Sequence, residues 1–464
     1  MSNPADARAS RILEGPIARG VLAVAMPSVA TMLLQTFNGF LDRFFVGDLG
    51  TAAMAAVSLT STLLFTLLSA AMAISVGGSA LIARFTGART PGDAVAALRQ
   101  SLLLSIWVGG AISAVVYLVR RPLLAAQGLT GPSLDAGEQY LAWAVAGLPF
   151  SFLVWTQAGA FRGLGDTVRP FYVTLGSNLV HAGLNYLLIP GNLGFPRLGI
   201  VGGAIALSAS QVMAVVLQLW FLRATPLADG VDLRARPSRE WMVRILRVGL
   251  PAGGQQILRT GSMLLFQNLL ARQGGDVAVA ALGVGLVAES IAFMPGFGYS
   301  IAASAFVGQN LGAGNPKRAA KAAWSATAQS MLVMTLAGLV FYAFAEPFAR
   351  LFVHTPPGME PAARALAERQ VELVVLYLRI AAASEPFLAL GIVLAGALQG
   401  AGETVSPTIL VAVCSLAIRL PLGWILLATH GVPGAWWSMS ISTIIQGVAT
   451  LALFRGGRWA QAKV

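Results

Sequence analysis

Residues 163–170 read GLGDTVRP, and residues 400–407 repeat them as GAGETVSP, each copy standing between two long apolar runs. The match extends beyond the motif, since Pro149 and Pro386 precede the two copies at the same offset. The chain is therefore an internal duplication. Apolar duplications of this kind are typical of transporters built from two related lobes.

Composition places the duplication in a membrane. Hydrophobic residues make up 56% of the chain and charged residues only 11%, whereas an ordinary soluble domain has roughly 25% charged residues. A membrane-spanning helix needs roughly 20 apolar residues. Twelve stretches reach that length, near 21–46, 52–82, 100–119, 140–161, 170–190, 199–222, 245–271, 277–306, 323–345, 373–398, 407–428 and 433–454. The sequence predicts an all-α membrane protein with twelve transmembrane helices in two six-helix lobes, and because six is even the lobes form a parallel internal repeat.

These stretches divide the chain into five segments. They are a cytoplasmic N-terminal segment 1–20, an N-lobe 21–222 with helices 1–6, a cytoplasmic linker 223–244, a C-lobe 245–454 with helices 7–12, and a cytoplasmic tail 455–464. Most basic residues outside the helices fall on the side that carries both termini, and the positive-inside rule makes that side cytoplasmic. We expect a multi-pass protein of the cell (inner or plasma) membrane with both termini in the cytoplasm.

Several function classes are excluded at this point. The net charge of +12 requires no nucleic-acid partner, because juxtamembrane arginines that face anionic membrane lipids explain it. A phosphate-binding loop needs a lysine after a glycine, and Lys317, Lys321 and Lys463 do not follow one. The chain has no metal-binding motif of the His-Glu-x-x-His or Cys-x-x-Cys type. We expect no enzyme activity, no cofactor, no metal site and no obligate protein partner.

A family resemblance rests on several features together. The helix 1 pattern from Pro27 to Asp42, the sequence VGDLG at 46–50, both glycine signatures and the duplicated loops around Gly87 and Gly312 resemble the multidrug and toxic compound extrusion (MATE) family. The resemblance spans essentially the whole chain. Because its lone acid lies in helix 1, the chain is similar to the branch of the family related to the DNA-damage-inducible transporters.

The resemblance implies a mechanism and a class of cargo. It implies secondary active efflux of amphipathic, typically cationic drugs or toxic compounds by alternating access, coupled to inward movement of protons or, as the less favoured ion, sodium. An alternative is a flippase of lipid-linked saccharide precursors on a related fold. A non-transporting receptor fits poorly with the internal duplication.

Polar residues in the N-lobe are the candidates for ion coupling. A carboxylate within the membrane costs roughly 2.5–3.5 kcal/mol on insertion scales, so Asp42 is a functional candidate. The alternative is an exposed Asp42 paired with Arg43. His181 could share the proton, because imidazole titrates near neutrality, or it could be a packing histidine bonded to a carbonyl. The expected N-lobe polar cavity adds Asn178, Asn185, Gln35 and Asn38.

The resemblance also bears on the ion. Relatives typically carry Asn and Asp at the positions of His181 and Asn185, and Thr at the position of Leu207. A sodium site prefers several oxygen ligands, and this chain has lost a carboxylate and a hydroxyl there. We therefore expect protons rather than sodium.

Four charged residues lie within the predicted C-lobe helices: Arg259, Glu289, Glu385 and Arg419. Their charges cancel, and buried charges usually pair, so we expect a structural salt-bridge cluster. The alternative is a second coupling site. Six apolar side chains are candidates for the cavity wall: Phe37, Phe40, Phe266, Met263, Met294 and Phe297.

The two glycine signatures are interpreted as structural elbows at the cytoplasmic helix ends. Glycine permits a tight turn, an acid suits a helix N-terminus and proline suits the first helical turn. The elbow residues are Gly165, Asp166 and Pro170 in the N-lobe and Gly402, Glu403 and Pro407 in the C-lobe.

Overall fold

The computed structural model describes residues 10–47, 49–232, 236–356 and 358–462. Within these ranges the chain is helical and has no strand. The N-lobe helices are α1 (Ile17–Gly47), α2 (Thr51–Gly87), α3 (Pro91–Ala126), α4 (Gly131–Gly163), α5 (Val168–Leu188) and α6 (Ile200–Leu222). Parts of the predicted N-terminal segment, linker and tail, and position 48 of the VGDLG motif, lie outside the described residues.

The C-lobe begins with one continuous helical stretch, Arg239–Gly312, that Gly275 interrupts with a φ of 73°. A residue other than glycine rarely adopts that backbone conformation, so we treat 239–274 as α7 and 276–312 as α8. The remaining spans are α9 (Pro316–Ala343), α10 (Pro361–Gly400), α11 (Val405–His430) and α12 (Val432–Arg455). A short helix, Ala345–Phe352, links α9 to α10.

The twelve predicted spans are confirmed as helices. Ten helical stretches of the described chain are long and apolar enough to cross a membrane. One of them, Arg239–Gly312, contains both α7 and α8. Helix α5 is 21 residues long but falls outside the ten, because its asparagine and histidine side chains lower its hydropathy. Those side chains belong to the candidate site.

The two lobes meet through glycines. A Cβ atom at Gly249 of α7 would lie 2.0 Å from the carbonyl oxygen of Ala73 in α2, and one at Gly77 would lie 2.1 Å from the carbonyl oxygen of Ile245. Only a residue without Cβ allows backbones to approach so closely. This contact lies toward the end of the bundle that carries the elbows and the described ends of the chain, which we call the terminal face.

The first and last described residues of the chain bridge the lobes at the terminal face. Ile12 is buried, its carbonyl oxygen accepts hydrogen bonds from Arg318 of α9 at 3.3 Å, and its side chain lies against Gly165 of the N-lobe. At the other end, Arg84 of α2 donates to the carbonyl oxygen of Ala462 at 3.3 Å. Trp459 stacks on Phe454 of α12 with a centroid separation of 4.7 Å. The closed terminal face therefore includes both terminal segments.

Candidate functional site

The elbows are tight turns at the terminal face. Gly165 has a φ of 73° and Gly402 a φ of 89°, a region that favours glycine. Pro170 and Pro407 lie in the first turns of α5 and α11. Gln309 of α8 donates to the carbonyl oxygen of Gly163 at 2.8 Å, so the N-lobe elbow is tied to the C-lobe.

The elbow acids bond to the helices that follow them. Asp166 Oδ1 accepts from the backbone N–H of Arg169 at 3.3 Å, and Glu403 Oε1 accepts from the backbone N–H of Ser406 at 3.0 Å. A carboxylate in this position satisfies a free donor of the helix N-terminus and complements the helix dipole. The geometry agrees with a structural role for both elbows.

The N-lobe polar residues form a hydrogen-bonded cluster between α1 and α5. Asn185 Nδ2 donates to Asp42 Oδ1 at 3.0 Å, and His181 Nε2 lies 3.5 Å from the same oxygen. Asn38 Nδ2 lies 3.1 Å from His181 Nδ1, and Asn185 Nδ2 lies 3.3 Å from His181 Nε2. Neither ring nitrogen of His181 bonds to a backbone carbonyl of the described residues, so the packing-histidine interpretation is wrong.

The other predicted members of this cavity lie at its edge. Asn178 Nδ2 donates to the carbonyl oxygen of Leu34 at 3.1 Å and ties α5 to α1 one turn away. Gln35 is exposed and makes no hydrogen bond with a described residue, so it is not part of the cluster. The alternative pairing of Asp42 with Arg43 rests on a side chain outside the described residues.

Two oxygens of the cluster have no donor. Asn38 Oδ1 and Asn185 Oδ1 are buried without a hydrogen-bond partner among the described residues. A neutral imidazole carries one N–H, so it can accept a hydrogen bond at one ring nitrogen only, and one of the two amides must present its oxygen to the other; amide orientation and tautomer are assigned together. In the imidazolium form of His181 both ring nitrogens donate, so both amides would present an oxygen to the ring, and Asn185 would then give up its hydrogen bond to Asp42. Protonation of His181 therefore rearranges the hydrogen bonds of the cluster.

The C-lobe charges do not form the predicted salt bridges. Among the described residues, no arginine of the four lies within salt-bridge distance of either glutamate. Tyr377 Oη of α10 instead donates to the Glu289 carboxylate. Arg419 donates from Nε to Ser442 Oγ at 2.9 Å and from Nη2 to Thr443 Oγ1 at 3.3 Å. The prediction of direct salt bridges is wrong, since hydroxyl groups from α10 and α12 bond to Glu289 and Arg419 instead.

Glu385 is set apart from the other three charges. Its Oε2 is buried without a partner among the described residues, and its side chain faces Gly338 and Phe341 of α9 in a small separate void that Glu289 also borders. The sequence analysis missed Tyr377, which lies eight residues before Glu385 in α10. A spacing of eight residues is about two helical turns, and this spacing could have indicated that the tyrosine lies on the same side of the helix as the acid.

A cavity of about 350 Å³ lies in the C-lobe among α7, α8, α10, α11 and α12. Its lining includes Arg259, Glu289 and Arg419. Of the predicted wall residues, Met263, Met294 and Phe297 line it. Phe266 is buried in the core instead, Phe37 is exposed on α1, and the side chain of Phe40 lies outside the described residues.

A larger cavity of about 620 Å³ lies at the terminal face, bordered by Glu14, Arg89 and Asp166. The rise of α5 separates it from the Asp42 cluster by roughly 20 Å. We interpret it as the groove beneath the N-terminal segment.

Comparison with known proteins decides the family. The MatE family model matches residues 27–187 and 251–425, one stretch in each lobe. The chain belongs to the MatE family. The match agrees with the duplication, and MatE proteins are transporters, so this MatE protein is a multi-pass membrane transporter and not an enzyme.

The chain is similar to curated relatives with two different names. The chain is 28% identical to a probable multidrug resistance protein NorM of Thermotoga maritima, over 97% of this chain and 94% of that protein. It is 26% identical to an FAD transporter of Shewanella oneidensis, over 94% of each chain.

Solved structures of MATE transporters share the fold. A multidrug resistance MATE family transporter in an outward-facing conformation matches with a TM-score of 0.87 and 24% identity, covering 98% of each chain. A MOP superfamily transporter of Pyrococcus furiosus, described as having a binding pocket of reverse polarity, matches with a TM-score of 0.86 and 22% identity over 98% of each chain. At these identities the comparison concerns the fold alone.

Proposed function

We propose that this MatE protein exports amphipathic small molecules by alternating access, driven by inward proton movement through the Asp42 cluster. The observation that carries the proposal is the network of Asp42, His181, Asn185 and Asn38, which joins α1 to α5 inside the apolar N-lobe. The terminal face is cytoplasmic in this proposal, as the basic residues indicate.

Helix α1 can transmit protonation to the lobe interface because it contacts both lobes. It packs on α8, where a Cβ at Gly298 would lie 3.0 Å from the carbonyl oxygen of Ala25 and 2.9 Å from the backbone nitrogen of Val29. Its later part is joined to α5 through Asp42. Pro27 lies within the contact with α8, and a proline within a helix removes one backbone hydrogen bond and permits bending.

A proton arriving from the far side would change the cluster directly. Protonation removes the negative charge of Asp42, so the charge-assisted hydrogen bond from Asn185 weakens and the second half of α1 is free to repack. One inward proton at 100 mV supplies about 2.3 kcal/mol, or roughly fifty-fold accumulation, before any pH gradient.

Sodium is the alternative coupling ion. The Asp42 carboxylate and the two orphaned amide oxygens would give three oxygen ligands, fewer than hard cations usually take from proteins. The imidazole within the cluster favours the proton.

The flippase alternative receives less support than export. The relatives quoted above are named as a multidrug resistance protein and an FAD transporter. A C-lobe cavity of about 350 Å³ is also small for a lipid-linked saccharide. Because flavin adenine dinucleotide is an anion, the charge of the cargo in this family is not fixed as cationic.

Efflux in proteoliposomes tests the proposal. Asp42→Asn keeps the shape of the side chain and removes its titration, so we expect proton-driven efflux to fall at least a hundredfold while the protein folds normally. Asp135→Asn is the matched control, since Asp135 is an exposed residue paired with Arg121. Undiminished efflux by Asp42→Asn under an imposed pH gradient would refute the role of the cluster.

A further inference from the structure

The C-lobe cavity has polar groups that are not matched by charge. Arg259 makes no hydrogen bond or ion pair with a described side chain, although it lines the cavity. Arg419 is held by two hydroxyl groups, which leave its positive charge in place. Arg419 repels Arg259 and attracts the Glu289 carboxylate, which lines the same cavity. Two arginines thus share one acid, and a bound anion would balance the second positive charge.

The acid that borders the cavity is already engaged. The Glu289 carboxylate accepts the hydrogen bond of Tyr377, and it does not reach either guanidinium within salt-bridge distance. Glu385 faces the separate void toward α9 rather than the cavity. The charged groups of the cavity lining are therefore two arginines and one glutamate, which leaves one positive charge in excess.

A further donor lies in the cavity wall without an acceptor. Trp436 is 1% exposed, it lines the cavity, and its indole N–H has no hydrogen-bond partner among the described residues. A buried donor without an acceptor costs about 1–3 kcal/mol. The nitrogen is itself buried, so this donor does not contact a molecule in the cavity, and the charge preference rests on the two arginines.

The rest of the wall is apolar and largely aromatic. Phe65 of α2 reaches the cavity from the N-lobe, and Phe293, Phe297, Met263 and Met294 line it within the C-lobe. Aromatic and methionine side chains offer adaptable contacts to a planar ring. A volume of about 350 Å³ falls in the range of small-molecule sites and suits a compact aromatic molecule.

We propose that this cavity binds aromatic anions, with a carboxylate, sulfonate or phosphate group held by Arg259 and Arg419 and the ring held by the phenylalanine and methionine wall. Guanidinium groups bind such acids through two parallel hydrogen bonds. The proposal rests on the proposed export function for its meaning as a cargo site. It departs from the cationic cargo that the family resemblance implied.

Two probes that share one ring test the charge preference of the unaltered protein. Naphthalene-2-sulfonate and 2-naphthylmethylammonium differ in charge but not in the aromatic body. Equilibrium dialysis against the full chain in a non-ionic detergent should give at least tenfold tighter binding of the sulfonate. Equal binding of both probes, or tighter binding of the ammonium compound, overturns the proposal without any variant.

Variants then locate the site. Arg259→Gln should weaken sulfonate binding at least tenfold and leave ammonium binding unchanged or stronger, and Arg259→Lys should restore part of it. Arg379→Gln is the matched control, because Arg379 is an exposed arginine over the ring of Tyr342 in the same lobe. Equal loss in Arg259→Gln and Arg379→Gln, or no loss in either, contradicts the assignment.

A competition experiment distinguishes the contribution of the charged group to binding from that of the aromatic ring. Inorganic sulfate should displace naphthalene-2-sulfonate only at much higher concentration, since it cannot contact the apolar wall. Equal competition would overturn the aromatic part of the proposal. Binding is measured without a gradient, so it is judged separately from transport. Sulfonate binding that depends on Arg259 can stand although Asp42→Asn exports normally. Proton-driven efflux of the ammonium probe alone would leave export intact and overturn the role of the anion site as a cargo site.

Discussion

Substituting Gly249 by alanine should push the lobes apart at the terminal face. The new Cβ would lie 2.0 Å from the carbonyl oxygen of Ala73, whereas ordinary contact begins near 3.4 Å. Backbone lies on both sides, so no side chain can rotate away, and α7 or α2 must move by more than 1 Å. Overpacking of this kind costs about 1–3 kcal/mol.

That cost falls on the conformation in which the terminal face is closed. A bias of about 1–3 kcal/mol changes the ratio of two conformations by roughly 5- to 150-fold. We therefore expect the population open at the terminal face to rise by at least fivefold. The matched control is Gly254→Ala in the same helix, where a Cβ meets nothing within 4 Å. Both variants share the gain in helix propensity of about 1 kcal/mol, so their difference isolates the contact.

Distances between spin labels measure the outcome. Labels at the exposed residues Thr90 of the N-lobe and Lys321 of the C-lobe report on the terminal face. The chain has one cysteine, Cys414, so a Cys414→Ser background leaves only the introduced sites. Gly249→Ala should shift the distribution toward longer distances. If Gly249→Ala and Gly254→Ala give the same distribution, the glycine contact does not control the closure.

Two further predictions concern the polar clusters. Tyr377→Phe leaves the Glu289 carboxylate without its hydrogen-bond donor, so thermal unfolding in detergent should show a loss of about 1–3 kcal/mol in the free energy of unfolding. Tyr342→Phe, at an exposed tyrosine, is the control. Equal stability of the two variants would show that the hydrogen bond does not stabilise the fold. Asn185→Asp places a second carboxylate beside Asp42, and we expect sodium to stimulate efflux in this variant but not in the unaltered protein. Indifference of Asn185→Asp to replacement of sodium by choline, with folding preserved, would show that oxygen ligands at this position do not select the ion.

The helices and the N-lobe cluster could be predicted from the sequence because both depend on local spacing. Apolar runs of sufficient length become spanning helices whatever they pack against. Asn178, His181 and Asn185 are three, four and seven residues apart, which places them on one face of α5. The contact between that face and Asp42 is a separate prediction, because it joins two helices that are distant in the chain. Gln35 shows the limit of such predictions: it lies on α1 with Asp42, as expected, but it is exposed and outside the cluster.

The partners of the charged residues in the C-lobe could not be predicted without the tertiary structure. Charge balance among Arg259, Glu289, Glu385 and Arg419 suggested pairing, but partners are chosen by how helices are oriented, and a sequence states only that the charges exist. The structure decided that Tyr377 bonds Glu289 across 88 positions of the chain and that hydroxyl groups hold Arg419.

The sequence by itself determined the duplication, the twelve spanning helices, the turns at the elbows and the polar face of α5, since each follows from hydropathy, glycine and proline placement or helical period. Only the tertiary structure decided that this face meets Asp42, which glycines join the lobes and what charge the C-lobe cavity presents. Those properties depend on distances of a few ångströms between helices that are distant in the chain, and electrostatic and steric energies change steeply over such distances.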